Sequence, residues 1–173
     1  MSTRALYTII DADTKARPAE QSRYGLRPAI KASKGDAWNV YIHMDGNPTG
    51  AAAYVTEALR YAWNLPRFEA DEFAAALCCA GKAYILESKK KYGQGGGNAR
   101  FMPQGKPLAV ASRHCTDIEY RYEIRATGIK AYSVDAREGK GKEKLLFTCP
   151  IADFASTAEA YEIHWRPDRP AAK

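Results

Sequence analysis

The chain has 173 residues, 46% apolar and 27% charged, with a formal net charge of +6. That size and composition suit one folded domain with its own core and exclude a disordered chain. No apolar run approaches the roughly 18 residues of a membrane span, and Met1-Ser2-Thr3-Arg4 leads straight into a strand-like run, so no signal peptide is expected and the expected setting is the cytoplasm.

Ala5 to Asp11 reads as a first strand, and its near-continuous apolar character suits a central position covered on both faces. Ala12 to Gly35, interrupted by Pro18, Gly25 and Pro28, shows no sustained period and reads as a long basic loop; Asp13 to Lys34 holds six basic and two acidic residues. Ala37 to Met44 reads as a second strand, pairing with the first. The turn dipeptides Asp45-Gly46 and Asn47-Pro48 follow, and then Tyr54, Val55, Ala58, Leu59 and Ala62 fill one face of a helix running to about Asn64. Either Asn47 caps that helix with Pro48 at its first position, or Thr49 caps it.

Glu69 to Ser88 reads as a second helix, with acidic residues in its first turn and Lys89, Lys90 and Lys91 at its end, as the helix dipole favours. Tyr92 to Asn98 is Gly-rich and reads as a link; no Gly-Lys-Ser/Thr follows it, which excludes a P-loop. Beyond it the period falls to two. Ala99 to Met102, Leu108 to Ser112, Ile118 to Arg125, Ile129 to Asp135 and Leu145 to Cys149 read as strands, with Ala136 to Lys144 a charged loop between the last two. Ile151 to Ala160 reads as a short closing helix. The expected fold is therefore α+β: one domain over residues 1–165, an antiparallel sheet with two helices on one face and a C-terminal strand meander, and a flexible basic tail over residues 166–173.

Cys78, Cys79, Cys115 and Cys149 match no zinc spacing and read as reduced thiols. No cofactor motif is present, and no cofactor or metal is expected. His43 stands two residues before Asp45, and His114 three before Asp117, both near strand ends. Histidine with aspartate serves as a general base, a ligand pair or a hydrogen-bonded structural pair. Strand alternation would send His43 and Asp45 to one face, beside free N–H groups at the helix start, where Gly46 and Gly50 would admit a close ligand. The expected ligand-binding residues are His43, Asp45, Asn47, Gly50, His114 and Asp117. Lys89, Lys90, Lys91 and Arg100 are the expected polyanion contacts, because basic loops release counterions from phosphates.

Three blocks of this sequence carry a resemblance: Thr3-Arg4-Ala5 before a strand; His43, Asp45, Gly46, Pro48 and Gly50 in the turn; and Asp117, Glu119, Tyr120 and Tyr122 in a later strand. In this order and along most of the chain, excluding the basic loop and the tail, they resemble a loosely defined group of uncharacterised phage and prophage proteins. Asn47 stands where an aromatic is commoner in that group. The resemblance implies a mobile-element setting, hence a host-cell cytoplasm, and brings no activity with it.

The expected function is that of a phage or mobile-element accessory protein acting by binding. Its partner would be a host protein, a nucleic acid or a signalling nucleotide, and the binding would serve to counter a host defence system. Self-association is compatible with this reading. The alternative is a small hydrolase or transferase built on the two His/Asp pairs, with Ser2 as a remoter nucleophile once Met1 is removed. A purely structural protein is the third reading.

Overall fold

The computed structural model describes residues 3–43, 45–65, 67–92, 99–102, 118–135 and 142–165. The strands are β1 (Arg4–Ile10), β2 (Glu20–Ser22), β3 (Gly25–Arg27), β4 (Ala37–Ile42), β5 (Ala99–Met102), β6 (Ile118–Arg125), β7 (Gly128–Asp135) and β8 (Lys142–Cys149). The helices are α1 (Pro48–Ala58), α2 (Ala70–Tyr92) and α3 (Phe154–Trp165), the last preceded by a 3-10 turn over Ile151–Asp153.

Among the described residues, six strands form the main sheet in the order β5-β4-β1-β6-β7-β8. The expected antiparallel sheet is corrected to a mixed one, because β1 runs parallel to β6 while the other pairs are antiparallel. The cause is connectivity: the two long helices lie in the chain between β4 and β6 and allow the later strands to return beside β1 in its own direction. Among the described residues, a third helix joins the expected pair. Phe154 and Ala158 of α3 share one core with Ala51 and Val55 of α1 and Phe73 and Leu77 of α2.

One face of the sheet builds that core. Ala5, Tyr7 and Ile9 of β1, Val40 and Ile42 of β4, Tyr122 and Ile124 of β6, and Ile129 and Ala131 of β7 are all buried beneath the helices. Alternation puts Leu6, Thr8, Asn39 and Tyr41 on the opposite face, and these are buried too. Thr8 donates its hydroxyl hydrogen to Asn39 Oδ1 at 2.9 Å, so that a polar pair is accommodated there. The unbroken apolar run of β1 thus reflects a central strand with both faces covered.

Helix α1 stops at Ala58, short of the expected Asn64, and α2 continues to Tyr92. Beyond Ala58 the chain continues as hydrogen-bonded turns to Ala62, with Leu59 and Ala62 still packed on the core while Tyr61, Trp63 and Leu65 are exposed. The expected strand at Leu108 to Ser112, the link at 93–98 and the tail at 166–173 lie outside the described residues.

The largest departure lies in the expected loop at 12–35. Asp11 donates its N–H to the Asp36 carbonyl, Thr14 pairs with Ser33, and Arg17 pairs with Ile30. Glu20, Gln21 and Ser22 then pair with Arg27, Leu26 and Gly25. Every one of these pairs keeps the register set by Ala5 opposite Ile42, with no residue inserted on either side. β1 and β4 are therefore the base of one long antiparallel ribbon that leaves the sheet and turns back at Arg23-Tyr24. Pro18 and Pro28 interrupt its ladder, since proline donates no hydrogen bond, and the pairs between root and tip recur at three-residue intervals.

Candidate functional site

The strand–turn–helix at residues 37–58 holds four of the expected ligand-binding residues, and the structure divides them between two surroundings. His43 has left β4, and its Nδ1 accepts from Arg4 Nε at 3.2 Å. A guanidinium only donates, so Nδ1 carries no proton, and the Tyr41 hydroxyl at 3.1 Å donates to it as well. The ring proton is then on Nε2. Arg4 and Tyr41 occupy strand positions alternate to those under the helices, which places this trio on the face opposite the helices.

Asp45 lies beyond the strand, in the turn before α1. Its φ of 54° is the left-handed region, which aspartate tolerates better than most residues. That reversal ends strand alternation. Burial first, then the charges of Tyr54 and Asp45, push the phenol of Tyr7, which sits under the helices, well above its ordinary pKa. With Asp45 in the left-handed region, the strand alternation that would have put His43 and Asp45 on one face does not extend to Asp45.

The glycines of the turn answer to packing. A Cβ on Gly46 would lie 2.6 Å from the Cβ of Ala5, and a Cβ on Gly50 would run into the Asp45 carbonyl oxygen. The space expected to admit a ligand is taken by the protein's own backbone. Gly46 is pinned from two directions: its N–H donates to the Thr3 carbonyl at 2.9 Å, and its carbonyl accepts from the buried Tyr122 hydroxyl at 2.8 Å.

Asn47 stands at the N-cap of α1 with Pro48 at the first helical position, but its side chain makes no capping bond. The cap comes from α3. The Glu162 carboxylate accepts from Asn47 Nδ2 at 2.7 Å, from the Thr49 N–H at 3.2 Å and from the Thr49 hydroxyl at 3.0 Å. An intramolecular anion thus occupies the helix start that was expected to attract a ligand. Asp11 does the same for α2, accepting from the Ala70 N–H at 2.7 Å. His114 and Asp117 lie outside the described residues.

Of the expected polyanion contacts, Lys90 and Lys91 are exposed in the last turn of α2, and Arg100 lies in β5 opposite Tyr41; Lys89 shares that last turn. Helix α2 begins at the root of the ribbon, where Asp11 holds Ala70, so Lys90 lies about 30 Å further along the helix axis. The two basic regions are separate surfaces.

The ribbon itself is the feature that reading the residues as a loop passed over. Residues 12–35 hold Lys15, Arg17, Arg23, Arg27, Lys31 and Lys34 against Asp13 and Glu20, a net of +4 within the chain's +6. Every residue from 12 to 34 is exposed except Arg17 and Ser22, which are half-buried. Arg27 has an acidic partner, Glu20, at 3.8 Å, and the Arg23 guanidinium stacks 4.6 Å from the Tyr24 ring centre. Tyr24 is 79% exposed and Leu26 70%.

Among the described residues no group of three or more His, Cys, Asp or Glu is placed to hold a metal ion, and no helix is long and apolar enough to cross a membrane. Cys78, Cys79 and Cys149 are free thiols; burial pushes Cys78 up to about 11, which keeps it in the unreactive thiol form at neutral pH. Compared with known proteins, the chain matches no family model, no curated protein and no solved structure at a significant level.

Proposed function

We propose that the protein is an accessory factor of a phage or other mobile element that acts by binding nucleic acid, with the β2–β3 ribbon as its main contact. The observation that carries this reading is the ribbon: two strands in unbroken register, standing in solvent, with two-thirds of the net positive charge of the chain. A two-stranded hairpin is only marginally stable in water, and this one keeps Tyr24 and Leu26 exposed, as suits a segment that completes its packing on a partner. Its charge selects a polyanion over an apolar protein surface. The resemblance at Thr3-Arg4-Ala5, the 43–50 turn and the Asp117 block supports the mobile-element setting, in which covering a nucleic acid that a host defence system acts upon is the role implied. The hydrolase alternative needs His43 and Asp45 to act with His114 and Asp117, and the positive φ of Asp45 removes the strand alternation that would align the first pair.

Fluorescence anisotropy with labelled DNA and RNA at low salt tests the reading. The expected result is binding that weakens steeply with added salt. Absence of binding to every polynucleotide at low salt would overturn it.

A further inference from the structure

We infer that the ribbon binds duplex DNA by lying in the major groove with the Gln21–Leu26 face toward the base edges, an inference that rests on the nucleic-acid reading above. Three observations select this mode. The first is shape. Paired strands lie about 4.8 Å apart, and with their side chains they match a groove about 12 Å wide and overfill one of about 6 Å. From Thr14 to Ser22 the ribbon reaches about 26 Å, most of one helical turn of about 34 Å.

The second is the division of its tip into two faces. Glu20 pairs with Arg27, and Ser22 with Gly25, so these positions share one face; Gln21 pairs with Leu26 on the other. The acidic side chain, held by Arg27 at 3.8 Å, is thereby turned away from the Gln21–Leu26 face. That second face presents a side-chain amide beside an apolar side chain. An amide suits the N6/N7 edge of adenine, and an apolar group suits the thymine methyl. Lys15 on one arm, Lys31 and Lys34 on the other and Arg23 at the turn supply cations to both sides of the ribbon, where the flanking phosphate rows would run.

The third observation separates duplex DNA from other nucleic acids. Non-specific single-strand binders stack successive bases on several aromatics, and the ribbon has one, Tyr24, already covered on one side by Arg23. Duplex RNA has a deep, narrow major groove that protein elements do not enter. A basic ribbon with one apolar–amide face therefore fits B-form DNA best.

The test uses the full chain and anisotropy with one mixed sequence as DNA duplex, RNA duplex and single strand. The DNA duplex is also preloaded with methyl green in the major groove or with netropsin in the minor groove. The expected result is DNA duplex bound at least about tenfold tighter than RNA duplex, competition by methyl green and none by netropsin. The double variant Gln21→Ala/Leu26→Ala should weaken duplex DNA binding about tenfold with the salt slope unchanged. Both residues are exposed and outside the core, so its melting temperature should match the parent. Equal affinity for the two duplexes, preference for the single strand, competition by netropsin, or an unchanged affinity in the double variant would each overturn groove insertion while leaving nucleic-acid binding standing. Loss of all binding would remove both.

Discussion

The carboxylate of Glu162 accepts the backbone N–H of Thr49 at 3.2 Å and its hydroxyl at 3.0 Å, across 113 positions of sequence. This contact fastens α3 to the start of α1 and fills the site where the positive end of the helix dipole would otherwise face solvent. Glu162→Ala should lower stability by about 1.5–3 kcal/mol, the range for a hydrogen bond to a charged group. Chemical denaturation checks this; an unchanged midpoint would show that α1 needs no cap from α3.

Two buried tyrosines stacked 5.1 Å apart should respond in opposite ways to loss of their hydroxyls. Tyr122→Phe leaves the buried Gly46 carbonyl without its donor and should cost about 1–3 kcal/mol. The Tyr7 hydroxyl is buried with no hydrogen-bond partner, so Tyr7→Phe should be neutral or stabilising. A Tyr7→Phe loss as large as that of Tyr122→Phe would contradict this assignment.

The same pair fixes the alkaline limit of stability. Burial is the main cause that holds both phenols well above their usual pKa; Tyr54 and then Asp45 add to it at Tyr7, and chiefly Tyr7 at Tyr122. The folded pKa values are raised, so the stabilisation is complete below the unfolded value near 10 and declines as pH rises beyond it. Each such tyrosine should remove about 1.4 kcal/mol per pH unit in that range. Absorbance titration at alkaline pH should show the buried pair ionising only on unfolding. Full ionisation of all tyrosines in a still-folded protein would contradict this.

His43 serves the fold through Arg4 and Tyr41. His43→Ala should lower stability by about 1–3 kcal/mol, because it withdraws the acceptor from two part-buried donors. An unchanged melting temperature would return His43 to the list of ligand-binding residues.

How much of this was legible depended on what each signal measures. The alternation Ile118, Tyr120, Tyr122, Ile124 marked β6 to the residue, because one of its faces is buried and the other is half in solvent. The apolar run of β1 correctly marked a central strand. The parallel pairing of β1 with β6 was not legible, since partner choice is set by the path of the chain through α1 and α2 and not by any residue of β1. The turn at 45–50 stood out, but Gly46 and Gly50 read as ligand-admitting when they are small because Ala5 and the Asp45 carbonyl are close. Both helix caps, Glu162 and Asp11, come from distant elements and leave no local pattern. The ribbon was read as a loop because a strand pair exposed on both faces has no hydrophobic period, and Pro18 and Pro28 break what ladder it has.

The salt dependence of DNA binding tests the central claim most directly. The full chain and a Lys15→Gln/Arg23→Gln/Lys31→Gln variant would be titrated onto one duplex over a series of salt concentrations. If the ribbon makes the phosphate contacts, the log–log slope should fall in magnitude by about 2.7, roughly 0.9 for each of three lost contacts, with an unchanged melting temperature. An unchanged slope in a folded variant would contradict the account and move the contact surface away from the ribbon.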